Sequence, residues 1–184
     1  TQKGLVAMYK TIADNSSKPI IIYNVPSRTG VNVTPATFGQ LAGYPNIGAV
    51  KDAGGNISDT ASTALAVGDK LTIYSGNDDQ IIPIMSLGGM GVISVLSNVL
   101  PKETSLMCRK FFEGDIEGAR SMQLKYLKLV HALFSEVNPI PVKAAMAAMG
   151  FCENEVRLPL IPMQPETEAV LRQEMINCGI TLAN

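Results

Sequence analysis

Short runs of Ile, Val and Ala alternate with amphipathic stretches over roughly the first half of this chain. Apolar runs bounded by Gly, Pro, Asn and Asp read as buried strands, and apolar positions recurring every three to four residues read as helices. Leu5 to Ala13 is then a short helical stretch, and residues 19–26, Pro-Ile-Ile-Ile-Tyr-Asn-Val-Pro, hold the first strand. Thr34 caps a helix with Pro35 in its first turn and Phe38 and Leu41 on one face. The second strand runs from Asn46 to Lys51, followed by a helix from about Ser58 with Ala61, Leu65 and Val67 inward. Leu71 to Gly76 is a third strand, Asp78 starts a helix that ends at Gly88-Gly89, and Gly91 to Leu96 is a fourth strand.

From there on the pattern is wholly helical. Pro101 opens a helix to about Phe112, and a longer one spans Ile116 to Ser135, with Met122, Tyr126, Val130 and Phe134 at helical spacing. Pro141 to Met149 is a third, closed by Gly150. A Pro-rich crossing at residues 158–165 leads to the last helix, Glu166 to Cys178. Successive strand–helix units are the signature of a parallel α/β fold. Four of them fit half of a (β/α)8 barrel and equally a small doubly wound sheet, and periodicity does not choose.

Composition narrows the function. The 184 residues are 46% hydrophobic, and 15 Lys and Arg against 16 Asp and Glu give a net charge of -1. With no block of like charge, the chain has no electrostatic footprint for nucleic acid and no polybasic membrane patch. No apolar run approaches the roughly 20 residues a bilayer-spanning helix needs. Cys108, Cys152 and Cys178 are scattered, odd in number and without CxxC spacing, so they read as reduced thiols of a cytosolic protein. One histidine, His131, leaves little material for a zinc site or a serine triad and reads as structural. The opening Thr1-Gln2-Lys3, without Met or signal sequence, reads as the middle of something longer.

The chemistry gathers at the strand ends. Lys51 closes an apolar strand, where desolvation favours a neutral amine, the form that attacks carbonyl carbon. In a parallel barrel, catalytic groups project from the C-terminal ends of several strands. That rule collects Tyr23 and the following Ser27-Arg28-Thr29-Gly30 turn, Lys51, Ser75-Gly76-Asn77-Asp78, and Ile93-Ser94. By the two-residue period, Tyr23 shares a face with Ile21, and Lys51 with Ile47 and Ala49. Lys51 is a candidate Schiff-base nucleophile and Tyr23 a proton carrier. Arg28 is a candidate bidentate clamp for a carboxylate, and Gly76 a point of close backbone approach to a ligand. Taken singly, each has a plainer reading: a snorkelling lysine, a core tyrosine, a solvated loop arginine, a turn glycine. Tyr74 reads as packing, and Gly88-Gly89-Met90-Gly91, which precedes a strand, as a tight turn rather than a phosphate cradle.

Tyr23-Asn24-Val25-Pro26-Ser27-Arg28-Thr29-Gly30, Lys51 after Ile47-Gly48-Ala49-Val50, and Ser75-Gly76-Asn77-Asp78-Asp79 closely resemble the dihydrodipicolinate synthase family. Gly91-Val92-Ile93-Ser94-Val95 and Asn138-Pro139-Ile140-Pro141-Val142-Lys143 match it in the same order, and the likeness covers nearly the whole chain. The resemblance implies a (β/α)8 fold of which this chain covers strands five to eight: residues 1–100 the C-terminal half barrel, and residues 101–184 the last barrel helix and a helical extension. It implies a lyase that condenses pyruvate with L-aspartate 4-semialdehyde in lysine biosynthesis, cytoplasmic and homo-oligomeric as a dimer or tetramer. No metal or cofactor is implied beyond pyruvate held covalently on Lys51. Tyr23 would relay protons, Arg28 bind the semialdehyde carboxylate, and Ile93 line the site through its main chain.

The departure is equally plain. The family's paired threonines of the proton relay, a second tyrosine given across a dimer interface and its allosteric lysine site all belong to the half not found here. The expectation is a piece of the enzyme, inactive alone. N-acetylneuraminate lyases, which share the Tyr and Lys but typically lack the Ser-Arg-Thr-Gly reading, are the alternative within the class. A non-catalytic half barrel serving as an assembly or regulatory module is the alternative outside it.

Overall fold

A computed structural model describes residues 1–183. The chain divides into two compact units, Thr1–Ile93 and a second beginning at Ser94.

The first unit is built on a three-stranded parallel sheet, β1 (Ile20–Asn24), β2 (Ile47–Asp52) and β3 (Thr72–Ser75), in the order β1-β2-β3. Helices α1 (Gln2–Asp14), α2 (Pro26–Thr29), α3 (Pro35–Leu41), α4 (Ile57–Val67) and α5 (Ile81–Ser86) alternate with the strands. Local chemistry starts the helices where expected. Thr1 Oγ1 accepts from the Gly4 amide at 3.1 Å, Asn56 Oδ1 accepts from the Ser58 amide at 3.0 Å, and Thr34 precedes Pro35 at the head of α3. One face of the sheet lies under helices. There Ile22, Val50 and Ile73 stand side by side in register and join Ala13, Val33, Phe38, Leu41, Val67 and Ile84 in one buried cluster. The opposite face is open: Ile21 and Tyr23 are 49% and 43% exposed.

Several sequence expectations are revised. The register slips between Ile20 and Ile21, so that Ile47 faces Ile20 while Ala49 faces Ile21. Gly48 is the extra residue, a bulge, and it turns Ile47 into the helix-covered cluster and away from the face of Lys51. The fourth strand shrinks to a single bridge, Ser75 to Val92, supported by Met90 N–H to Ile73 O (2.8 Å), Ser75 N–H to Gly91 O (2.8 Å) and Ile93 N–H to Ser75 O (2.9 Å). Ser94 ends it: its hydroxyl accepts from the Ser97 amide at 2.8 Å and starts a 3-10 turn at Leu96–Asn98. Leu65 is 88% exposed rather than inward. The buried stripe of α4 is Thr60, Thr63 and Val67, and at 100° per residue Leu65 lies about 140° from Thr60. The helix expected from Asp78 begins as a 3-10 turn, Asp78–Gln80, before α5.

The second unit is helical: α6 (Pro101–Phe112), α7 (Ile116–Lys125), α8 (Leu127–Leu133), α9 (Ile140–Ala148) and α10 (Pro165–Asn177). Helix α6 packs on α7, and α8, α9 and α10 pack on one another, burying Met107, Leu129, Leu133, Ala145, Leu171 and Met175. The single long helix expected over 116–135 is broken at Tyr126, with no Gly or Pro at the break. Bonds from Tyr126 N–H to Met122 O and from Val130 N–H to Tyr126 O bracket it, and the Tyr126 ring is buried. Phe134, expected on the apolar face, ends α8 at 41% exposure, and His131 is exposed on that helix.

Two substitutions separate the observed core from the expected one. Phe38→Ala, in the helix-covered cluster, is expected to cost ~3–5 kcal/mol in urea unfolding. Leu65→Ala is expected to change it by no more than about 0.5 kcal/mol.

Candidate active site

Each strand of the sheet ends on the same two-residue theme. In register, Tyr23 pairs with Lys51 and Lys51 with Tyr74; one residue on, Asn24 pairs with Asp52 and Asp52 with Ser75. Alternation sends the first row to the open face and the second to the helix-covered face. Lys51 and Tyr74 are half-buried and Tyr23 is 43% exposed, so the row is within reach of a ligand. The Lys51 ammonium sits 4.1 Å from the centre of the Tyr23 ring. Such a cation–π contact is worth roughly 0.5–1 kcal/mol where solvent reaches it. The full desolvation that the strand-end position suggests is not reached: the open sheet face leaves Lys51 only half-buried.

The covered row is fixed by its own bonds. Asp52, 6% exposed, accepts from the Thr60 hydroxyl at 2.7 Å and from the Gly54 amide at 3.0 Å. Asn24 accepts from the Val33 amide at 3.0 Å and donates to the Asn32 carboxamide oxygen at 2.9 Å. Ser75 Oγ donates to the Asn77 carbonyl at 2.7 Å. Buried polar groups with satisfied partners hold geometry rather than react. Asn24 and Asp52 were given no role in the site, Ser75 was gathered only as a strand end, and Tyr74 was read as packing rather than as a flank of the row. The signal that would have found them is the repeated strand ending itself: Tyr23-Asn24, Lys51-Asp52, Tyr74-Ser75.

The other expected site residues are less closely gathered. Arg28 lies exposed on α2, where the Ser27-Arg28-Thr29-Gly30 turn forms one helical turn closed by Gly30 at φ 69°. Glycine adopts that left-handed conformation at no steric cost. Gly76 approaches the chain itself. Its amide donates to the Asp52 carbonyl at 2.7 Å, and a Cβ there would lie 2.7 Å from the Ala53 Cβ. Ile93 commits its N–H to Ser75, so what it can offer a ligand is its carbonyl or its 39%-exposed side chain. No group of three or more His, Cys, Asp or Glu suited to a metal ion occurs among the described residues. None of the described helices is long and apolar enough to cross a membrane.

Comparison with known proteins decides the family. The sequence model of the dihydrodipicolinate synthetase family matches residues 1–176. The chain belongs to that family. It is 52% identical over 182 residues to the 4-hydroxy-tetrahydrodipicolinate synthase of Caldicellulosiruptor bescii, covering 99% of this chain and 61% of that protein. The corresponding synthase of Clostridium perfringens is 50% identical over 180 residues, with 98% and 62% covered. Among solved structures, the dihydrodipicolinate synthase of Thermotoga maritima superimposes with a TM-score of 0.96 at 42% identity, covering 98% of this chain and 63% of that one. That of Aquifex aeolicus does so at 0.96 and 41%, covering 100% and 63%. The chain therefore spans about three-fifths of the length of these family members. The open three-stranded sheet with flanking helices agrees with part of a (β/α)8 fold.

The close approach at Gly76 yields a direct test. Gly76→Ala must push Ala53 or the backbone aside and is expected to lower stability by about 1–3 kcal/mol in urea unfolding. Gly48→Ala, where an added Cβ meets nothing within 4 Å, is the control and is expected to stay within about 0.5 kcal/mol of the parent.

Proposed function

We propose that this chain carries the Schiff-base side of a pyruvate-dependent condensation that yields 4-hydroxy-tetrahydrodipicolinate from pyruvate and L-aspartate 4-semialdehyde, a step of lysine biosynthesis. The observation that carries the reading is the in-register placement of Tyr23 and Lys51 on the open face, with the ammonium 4.1 Å from the ring centre. Family membership and the synthase relatives give the reaction class and favour this reading over the N-acetylneuraminate lyase alternative. Residues 1–100 would form the C-terminal half of a (β/α)8 barrel, and residues 101–184 its last helix and a helical extension. Further strands of the barrel would cover the open face, in a cytoplasmic homo-oligomer.

The chemistry follows from the residues. The neutral Lys51 amine attacks the pyruvate ketone carbon; the carbinolamine gains a proton on oxygen and loses water to leave a C=N bond. The iminium nitrogen then accepts the electrons of a methyl C–H bond as the proton passes to water, and the resulting enamine carbon attacks the semialdehyde aldehyde, whose oxygen takes up a proton. The semialdehyde's own amino group then adds to the C=N carbon, expels the Lys51 amine and closes the ring. Tyr23, beside the nitrogen, delivers and removes the protons of the first step. Arg28 pairs with the semialdehyde carboxylate in a fork of two hydrogen bonds. Gly76 and the Ile93 carbonyl border the space in front of Lys51.

Borohydride reduction in the presence of pyruvate, followed by peptide mass spectrometry, tests the assignment. A reduced pyruvyl adduct on Lys51, lost in Lys51→Ala, is expected for the chain together with the remainder of its barrel. An adduct on another lysine overturns the assignment, and none under any condition returns the non-catalytic module to the front. In the same enzyme Arg28→Ala is expected to raise KM for the semialdehyde by about tenfold or more, with pyruvate little affected. Equal damage to both substrates contradicts the carboxylate role.

A further inference from the structure

The segment 25–33, which carries Arg28, returns to the side chain it departed from. Asn24, 4% exposed at the end of β1, accepts from the Val33 amide through Oδ1 and donates through Nδ2 to Asn32, at 3.0 and 2.9 Å. Its carbonyl accepts from the Ala53 amide at 2.9 Å, which ties the same residue to the exit of β2 two residues past Lys51. The far end of the segment is held a second time by α1. Gln2 donates to the Asn32 carbonyl at 2.7 Å and accepts from the Thr34 amide at 3.1 Å and the Thr37 hydroxyl at 2.7 Å. Between these anchors the segment closes on itself, Gly30 N–H to Pro26 O at 2.9 Å and Val31 N–H to Thr29 Oγ1 at 3.3 Å.

We propose that the Asn24 side chain is a positioning residue for Arg28: it ties the far end of the Arg28 segment, at Asn32 and Val33, back to the end of β1 from which the segment departs, beside the strand end that carries Lys51. This deepens, and rests on, the reading of Arg28 as the carboxylate-binding group. A guanidinium on a segment fixed at both ends is pre-ordered for a two-point contact. With the clamp cut, that ordering must be supplied when the second substrate binds, and affinity falls. Lys51 is held by the β-ladder and not by this segment, so adduct formation with pyruvate is independent of the clamp.

Steady-state kinetics on the enzyme containing this chain and the rest of its barrel tests the proposal with Asn24→Leu, Asn24→Asp and Asn32→Ala, alongside Arg28→Ala. Asn24→Leu and Asn32→Ala are expected to raise KM for the semialdehyde about tenfold, leaving KM for pyruvate and the yield of borohydride-trapped adduct unchanged. Asn24→Asp is expected to restore most of the loss. A carboxylate still accepts from the Val33 amide, and Asn32 can turn its carboxamide to donate. Asn32 is exposed, so its variant decides the matter even where Asn24→Leu fails to fold. A parallel rise of both KM values, or loss of the adduct, overturns the proposal in favour of a purely structural role. No effect in the Asn variants while Arg28→Ala raises KM for the semialdehyde overturns this proposal alone. No effect of Arg28→Ala overturns the carboxylate reading and the clamp with it.

Discussion

The parallel register of β1, β2 and β3 is the constraint from which the rest follows. Because Tyr23, Lys51 and Tyr74 are paired in register, they form a row across one face. Neighbouring strands lie about 4.8 Å apart, so the row spreads three reactive or polarisable groups over about 10 Å of the open face. Alternation then obliges the next residues, Asn24, Asp52 and Ser75, to face the helices. The two rows cannot be exchanged or slipped separately: a one-residue shift of β2 would bury Lys51 among helices and expose Asp52, and a shift of β1 or β3 would do the same to Tyr23 and Asn24 or to Tyr74 and Ser75. Register thus sets both what is offered to a ligand and what anchors it.

The covered row also explains how an open sheet keeps its strand ends in order. Apolar packing by Ile22, Val50 and Ile73 holds the middle of the sheet. It has no directional preference and would tolerate small rotations of the strand ends. Asp52 supplies direction, with one carboxylate oxygen on the α4 hydroxyl of Thr60 and the other on the Gly54 amide. Just past β3, Gly76, lacking a side chain, brings its amide to the Asp52 carbonyl and ties the two strand ends together. Removing one partner of such a buried pair leaves the other desolvated and unsatisfied, a penalty of roughly 1–3 kcal/mol, larger than the net value of the bond itself.

Much of this was legible in the sequence, and the parts that were not have identifiable causes. Strand–helix alternation, the Thr34 cap and Lys51 at a strand exit follow from local rules, and the motifs around Tyr23, Arg28 and Lys51 pointed to the family that the comparisons establish. The face of Ile47 was misjudged because a bulge at Gly48 breaks the two-residue count, and a glycine inside a strand was its only local sign. Leu65 was misjudged because hydrophobicity was weighed over phase: two threonines, Thr60 and Thr63, occupy the buried stripe of α4. The fourth strand was overextended because Val95 and Leu96 continue an apolar run that Ser94 has already turned out of the ladder. The break at Tyr126 carries no local signal: no Gly or Pro lies there, and the residue is buried.

Chemistry and support are separated here by one residue in sequence and by the thickness of a sheet in space. A reactive lysine on a loop would carry the loop's freedom into every encounter with substrate. Lys51 instead follows Val50, fully buried, and precedes Asp52, bonded on both oxygens, so the backbone on either side of it is fixed from the covered face. Its Cα is set by the strand, and its ammonium rests against the Tyr23 ring, 4.1 Å from the ring centre. Arg28 is the opposite case: an exposed side chain on a single helical turn, in a segment whose far end is bonded to Asn24 and to Gln2. A nucleophile that must form a bond of fixed length gains from a rigid strand. On the proposed reading, Arg28 meets a flexible carboxylate-bearing aldehyde and gains from a short tethered loop, and the sheet supplies the rigid origin for both.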